Sequence, residues 1–303
     1  MAGTSPAMTS EWEDTSVEML SQLIKGPDLI VAPCALNPIM AQMAALAGFK
    51  AAYLSGGSLG WYKGVTEAGL SLTEMIQVVL DIRTVSKIPV VLDAGGGWGD
   101  PVHIHRTIAM SEAAGVECIE IEDQLLPRRV EHHIGIDNLV PIGLAADRIR
   151  EAVAARTNPD LLIVGRSNAL RVEGMDDALR RAEAMKRAGA DMLFLWGRKP
   201  EEMRFIAERL PAPLMTFAPP DGFSTFPISK AEMAKMGYRL AASSGTAFAA
   251  MVKAVRQSYE CLASDSMDPF LGPGGAEKEM KAAHQVTGLD RLLEIERRTM
   301  KGA

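Results

Sequence analysis

Pro89–Gly99 reads Pro-Val-Val-Leu-Asp-Ala-Gly-Gly-Gly-Trp-Gly. Val90, Val91 and Leu92 run without polar alternation, which predicts a strand buried on both faces, as in a parallel sheet. Pro89 opens the strand and Asp93 closes it. Gly95, Gly96, Gly97 and Gly99 then keep bulk away from that carboxylate, so it can reach a metal or a substrate. Taken alone, the segment fits equally well a strand-to-helix turn in which Asp93 is only a local cap.

Seven further short apolar runs flank this one: Leu29–Ala35, Ala51–Gly57, Cys118–Asp123, Leu161–Ser167, Met192–Gly197, Pro213–Ala218 and Arg239–Gly245. Pro27, Pro89, Pro159 and Pro213 stand at the entrances of the odd-numbered runs. Gly48, Gly115, Gly189 and Gly237 precede the even-numbered ones, where a helix C-cap is expected. Helix-length amphipathic stretches lie between the runs. In one of them Asp176 is placed to cap a helix whose stripe is Leu179, Ala182 and Met185. Strand–helix alternation implies parallel strands with right-handed crossovers, and eight units close into a (β/α)8 barrel. An open doubly wound sheet is the competing architecture, but no GxGxxG follows the first strand. The expectation is one barrel domain over residues 1–303. Residues 1–15 read as a flexible arm and 264–303 as a C-terminal helical extension that packs on a neighbouring subunit.

Composition narrows the class. The chain has 303 residues, 48% hydrophobic and 23% charged, enough for a large core without disulfide staples. Its three cysteines form no CxxC pair, which reads as a reduced, cytoplasmic protein. A net charge of -6 with no basic run argues against nucleic acid, and no apolar run is long enough to span a membrane.

In a barrel the chemistry collects where strands end. Those ends carry Ser55-Gly56-Gly57, Asp93, Glu120-Ile121-Glu122-Asp123, Arg166-Ser167-Asn168, Trp196, Thr216 and Ser243-Ser244. Asp93 and Glu122 are hard oxygen ligands from adjacent strands and suit Mg²⁺, which takes one or two carboxylates beside an anionic substrate. Ser55-Gly56-Gly57 offers a hydroxyl and backbone N–H groups to an anion. Arg166 can fork onto a carboxylate or phosphonate. Metal and anion clamp together suit enolate-forming chemistry on a 2-oxo or 2-hydroxy acid. The long loop after the fourth strand, Leu125–Pro141, carries Arg128, Arg129, Glu131, His132 and His133 and reads as a lid.

These residues resemble the isocitrate lyase/phosphoenolpyruvate mutase superfamily over about residues 25–300. Tyr53-Leu54-Ser55-Gly56-Gly57 is similar to its substrate-binding YLSGG segment. Ile121-Glu122-Asp123-Gln124 is similar to IEDQ, whose Glu is metal-associated. Arg166-Ser167-Asn168-Ala169 is similar to R-T-[ND]-A, whose Arg binds the substrate carboxylate or phosphonate. The resemblance implies a barrel with an exchanged C-terminal helix, a tetramer built as a dimer of dimers, and Mg²⁺ at the mouth, with Mn²⁺ as a substitute. It implies Asp93 and Glu122 as metal residues. It assigns Tyr53, Ser55, Gly56, Gly57, Arg166 and Asn168 to the substrate.

Departures from the pattern matter for function. Gly95 stands where the family has a second Asp, and Glu67 aligns with a further family Asp. Val130 stands where the lyases carry their loop Cys, and Trp196 where they carry a Glu. An ordinary isocitrate or methylisocitrate lyase is therefore not expected. The expectation is an Mg²⁺-dependent lyase or decarboxylase acting on a small carboxylic acid, with Glu67, Arg166, Glu131 and His132 as catalytic candidates and His132 the favoured proton donor. Phosphonopyruvate-type P–C cleavage and a weakened barrel that only binds a small acid are the alternatives.

Overall fold

The computed structural model describes residues 18–300; the expected N-terminal arm over residues 1–15 lies outside them. All eight predicted runs form strands: β1 Ile30–Pro33, β2 Ala52–Leu54, β3 Val90–Asp93, β4 Cys118–Glu122, β5 Leu162–Ser167, β6 Met192–Leu195, β7 Leu214–Phe217 and β8 Tyr238–Ser243. They pair in parallel in the order β1-β8-β7-β6-β5-β4-β3-β2. A parallel bridge between Cys34 and Tyr53 joins the two ends, with the Ala35 N–H donating to the Tyr53 carbonyl at 3.0 Å. The sheet is thus a (β/α)8 barrel. Gly48, Gly115, Gly189 and Gly237 take φ of 84°, 80°, 108° and 99°, the left-handed conformation that ends a helix before each even-numbered strand. One local expectation is corrected. The helix Met175–Arg187 is capped by Gly174, and Asp176 lies inside its first turn, where its charge still favours the helix dipole.

Strand periodicity splits the core in two. Leu54, Leu92, Ile119 and Ile121 face outward and pack with Met75, Val79, Ile82, Ile104 and Ile149. Val91, Cys118, Val164, Met192, Phe194 and Met215 fill the barrel's inside. Leu20 and Ile24, from the helix Leu20–Leu23 and its cap, join that inner cluster and plug the N-terminal end. The Leu20 N–H donates to Glu117 Oε2 at 2.9 Å, and Ser21 Oγ donates to Asp160 Oδ1 at 2.7 Å, each acceptor lying just before a strand. Full burial of a leucine side chain contributes roughly 1.5–3 kcal/mol, so the plug is a packing device.

The described chain divides into two compact units, one ending at Phe248 and one beginning at Ala249. The boundary lies inside the helix Thr246–Ala263, so part of that helix joins the expected extension. The second unit also contains the helices Gly275–Val286 and Leu289–Thr299. No helix among the described residues is long and apolar enough to cross a membrane.

Candidate active site

Register builds the site. Asp93 at the end of β3 lies opposite Glu120, and Glu122 lies opposite Arg166. Because side chains alternate along a strand, Glu120 and Glu122 share one face while Ile119 and Ile121 face the helices. Asp93 is clamped by two backbone donors: Gly56 N–H to Oδ2 and Gly95 N–H to Oδ1, each at 3.1 Å. Arg166 Nη1 is ion-paired with Glu120 and lies 3.0 Å from Glu122 Oε1. The Arg166 guanidinium also stands 4.9 Å from the Phe194 ring centroid and 5.0 Å from that of Phe217. Trp196 packs edge-on against Phe217 at 5.1 Å, so an aromatic wall bounds this side.

Glu67 completes the acidic group from the loop after β2. It opens the one-turn helix Glu67–Gly69, and the helix Gly56–Tyr62 makes room for it. A Cβ at Gly56 would lie 2.7 Å from Glu67 Oε1, and one at Gly60 only 2.5 Å from the Glu67 backbone nitrogen. Glycine at residue 60 is what lets the two backbones approach. Carboxylate oxygens of Glu67, Asp93 and Glu122 all lie within 4.8 Å of one another. A cavity of about 370 Å³ adjoins them, lined in part by Gly95, Trp98 and Arg128.

Burial, reinforced by the charges of Glu67 and Glu122, pushes the Asp93 carboxyl up to about 6. Burial likewise pushes Glu120 up to about 8, against the pull of Arg166. For Glu122 burial also acts upward, but Arg166 and Arg128 outweigh it and hold the group below its ordinary value. Glu122 Oε1 is buried and accepts no hydrogen bond. Three crowded carboxylates, one with a buried oxygen that accepts no hydrogen bond, are a donor set suited to a hard divalent cation, and the residues present fit Mg²⁺ or Mn²⁺.

The remaining predicted residues fall at varied distances from this centre. Asn168 Nδ2 donates to Glu122 Oε2 at 2.7 Å, so it orients that carboxylate. The Tyr53 hydroxyl points into the barrel at Glu120, 3.3 Å from Oε2. Ser55 Oγ accepts from the Ser58 N–H at 3.3 Å and caps the following helix, while Gly57 forms its second residue. His132 Nε2 lies 3.6 Å from Glu67 Oε2, and its Nδ1 lies 2.8 Å from the Arg129 carbonyl oxygen. That carbonyl only accepts, so Nδ1 carries the proton there. Glu131 is exposed and accepts from Asn138 Nδ2 at 3.1 Å. Val130 is 59% exposed.

Sequence reasoning read Arg128 only as a charge on the lid loop and Asp123 only as part of its motif, and it gave Glu120 no role. Glu120 was legible from its two-residue offset to Glu122. Arg128, 2.7 Å from Glu67 Oε1, meets it only through a long-range loop contact. Asp123 accepts from Ser167 Oγ at 2.6 Å, from the Asn168 N–H at 3.1 Å and from Arg181 Nη1 at 3.3 Å. This layer fixes the end of β5 behind Arg166.

A parallel barrel with acidic groups and an arginine at its C-terminal mouth carries its polar residues where barrel enzymes do their chemistry. The sequence model of the phosphoenolpyruvate phosphomutase family matches residues 20–263, and the chain belongs to that family. It is 30% identical over 280 residues to 2,3-dimethylmalate lyase of Eubacterium barkeri, covering 91% of this chain and 96% of the relative. It is 30% identical over 292 residues to oxaloacetate decarboxylase of Paraburkholderia xenovorans, covering 95% of each. A crystal structure of phosphonopyruvate hydrolase with oxalate and Mg²⁺ matches with a TM-score of 0.79 at 25% identity, over 93% of this chain and all (100%) of that one. A crystal form of 2,3-dimethylmalate lyase matches with a TM-score of 0.80 at 29% identity, over 92% of this chain and 93% of that one.

Proposed function

We propose that this chain is a divalent-metal-dependent lyase or decarboxylase that breaks a carbon–carbon bond in a small 2-oxo or 2-hydroxy carboxylate through an enolate. The convergence of Glu67, Asp93 and Glu122 beside Arg166 carries the reading. Asp93 and Glu122 would hold Mg²⁺ or Mn²⁺, with Glu67 beside them. The chemistry such an ion supplies when bound is withdrawal of negative charge from substrate oxygens as the enolate forms.

The chain's own residues do the rest. Arg166 binds the substrate carboxylate; its buried Nε has no hydrogen-bond partner in the protein. Ser55, Gly56 and Gly57 border the anion, and Asn168 keeps Glu122 turned inward. As the bond breaks, its electron pair passes into the enolate, and a proton returns to carbon; a 2-oxo acid releases CO2, while a 2-hydroxy acid gives up its hydroxyl proton as that oxygen becomes a carbonyl, so one proton is lost for the one gained at carbon. His132 is the donor in this scheme, because its Nε2 stands 3.6 Å from Glu67 Oε2, whereas Glu131 is turned toward Asn138. The aromatic wall of Trp196 and Phe217 favours an apolar substituent on the substrate. The helix Leu289–Thr299 exposes Leu292, Leu293 and Ile295, which supports self-association; the dimer of dimers is what the family likeness implies.

The test is a product assay with Mg²⁺ on oxaloacetate, alkylated malates and phosphonopyruvate. Turnover of a carbon–carbon substrate is expected. Turnover of phosphonopyruvate alone would reassign the chain to P–C cleavage, and binding without turnover would make it an acid-binding barrel.

A further inference from the structure

Arg128 already stands among the acidic groups. Its Nη1 lies 2.7 Å from Glu67 Oε1 and 3.6 Å from Glu122 Oε2, between two of the three clustered carboxylates. The side chain is only 9% exposed. Yet its Nε and Nη1 find no hydrogen-bond partner, so the ion pair lacks hydrogen-bonding geometry at these atoms. A guanidinium fixed for structure uses its fork of donors; this one is held by charge. The space it fills is open because residue 95 is glycine: a Cβ there would lie 3.2 Å from Nη1.

We infer that Arg128 is a tethered cation that competes with the divalent metal ion for the carboxylate cluster, so that metal entry and release of residues 125–129 are one event. The inference rests on the metal site proposed above. Two cations confined to the same few ångströms repel each other, so occupancy by one opposes the other. Without metal, Arg128 offsets the mutual repulsion of Glu67, Asp93 and Glu122. With metal, Arg128 leaves and its loop is freed to admit substrate. This is a conformational device, reciprocal by linkage: whatever draws Arg128 out of the cluster tightens metal binding.

The experiment titrates Mn²⁺ against the wild-type chain, Arg128→Met and Arg128→Lys, reading free Mn²⁺ by electron paramagnetic resonance. Arg128→Met removes the charge while keeping bulk and should tighten Mn²⁺ binding by at least about tenfold; Arg128→Lys keeps a cation and should stay within about threefold of wild type. Unchanged or weaker binding in Arg128→Met overturns the competition and leaves the metal site standing. Absence of Mn²⁺ binding in wild type and Arg128→Met alike overturns both. A second readout needs no substitution: brief tryptic digestion of the wild-type chain, following by mass the peptide that ends at Arg128. Mn²⁺ should accelerate its release, and slower or equal release overturns the inference.

Discussion

The two ends of the barrel are built on opposite principles. The N-terminal end is closed by apolar side chains, with Leu20 and Ile24 packed among Val91, Cys118, Leu162 and Met192. The C-terminal end holds Asp93, Glu120, Glu122 and Arg166, all under 9% exposed, together with Glu67 and Arg128 from loops. The first arrangement gains free energy from every contact it makes. The second buries like charges, and burial together with their crowding raises Asp93 and Glu120, so this end gives up stability for a concentration of carboxylates. Position along a strand is thus what separates packing from chemistry in this chain.

Substitutions at the two ends should therefore fail in different assays. Asp93→Ala removes one of the crowded carboxylates; turnover should fall to background and calorimetric Mg²⁺ binding should vanish, with a melting temperature no lower than wild type. Unchanged Mg²⁺ affinity would remove Asp93 from the metal site. His132→Gln keeps some hydrogen bonding but cannot donate a proton; kcat should fall about a hundredfold, the lower range for a positioned acid, with KM little altered. A wild-type kcat would move the donor elsewhere. Arg166→Lys retains the charge and loses the planar fork; a bond to a charged group is worth roughly 1.5–3 kcal/mol, so kcat/KM should drop about ten- to hundredfold. At the opposite end, Leu20→Ala should cost about 2–5 kcal/mol of stability, read by urea denaturation, and leave kcat/KM of the folded enzyme unaltered. A loss of turnover there at full stability would dissolve the contrast.

Much of this division was legible in the sequence. The eight strands announce themselves as short apolar runs because parallel strands are buried on both faces, and Asp93 and Glu122 stand out as the acids that end two of them. Glu67 is different. No periodicity marks it, and only its alignment with a family acid pointed to it; the reason it reaches Asp93 is Gly60, whose missing side chain brings the loop in. Arg128 was visible as a loop charge, but its meeting with Glu67 spans two connections, which local patterning cannot reveal. The meeting of the Tyr53 hydroxyl with Glu120 inside the barrel was not legible either. A single aromatic at a strand centre gives no clue to which polar group will share the interior with it.

Seven of the eight strand junctions are ladders of two to five paired residues, and the junction between β1 and β2 is one bridge, Cys34 to Tyr53. Mechanically the barrel is a split ring with a single clasp. The seam is where opening is expected first, so the Ala35 amide, bonded across it to Tyr53, should exchange its hydrogen ahead of the amides in the seven ladders. The clasp lies three residues before Gly56, whose N–H grips Asp93. Any opening at the seam would therefore loosen one of the two backbone donors that hold the Asp93 carboxylate.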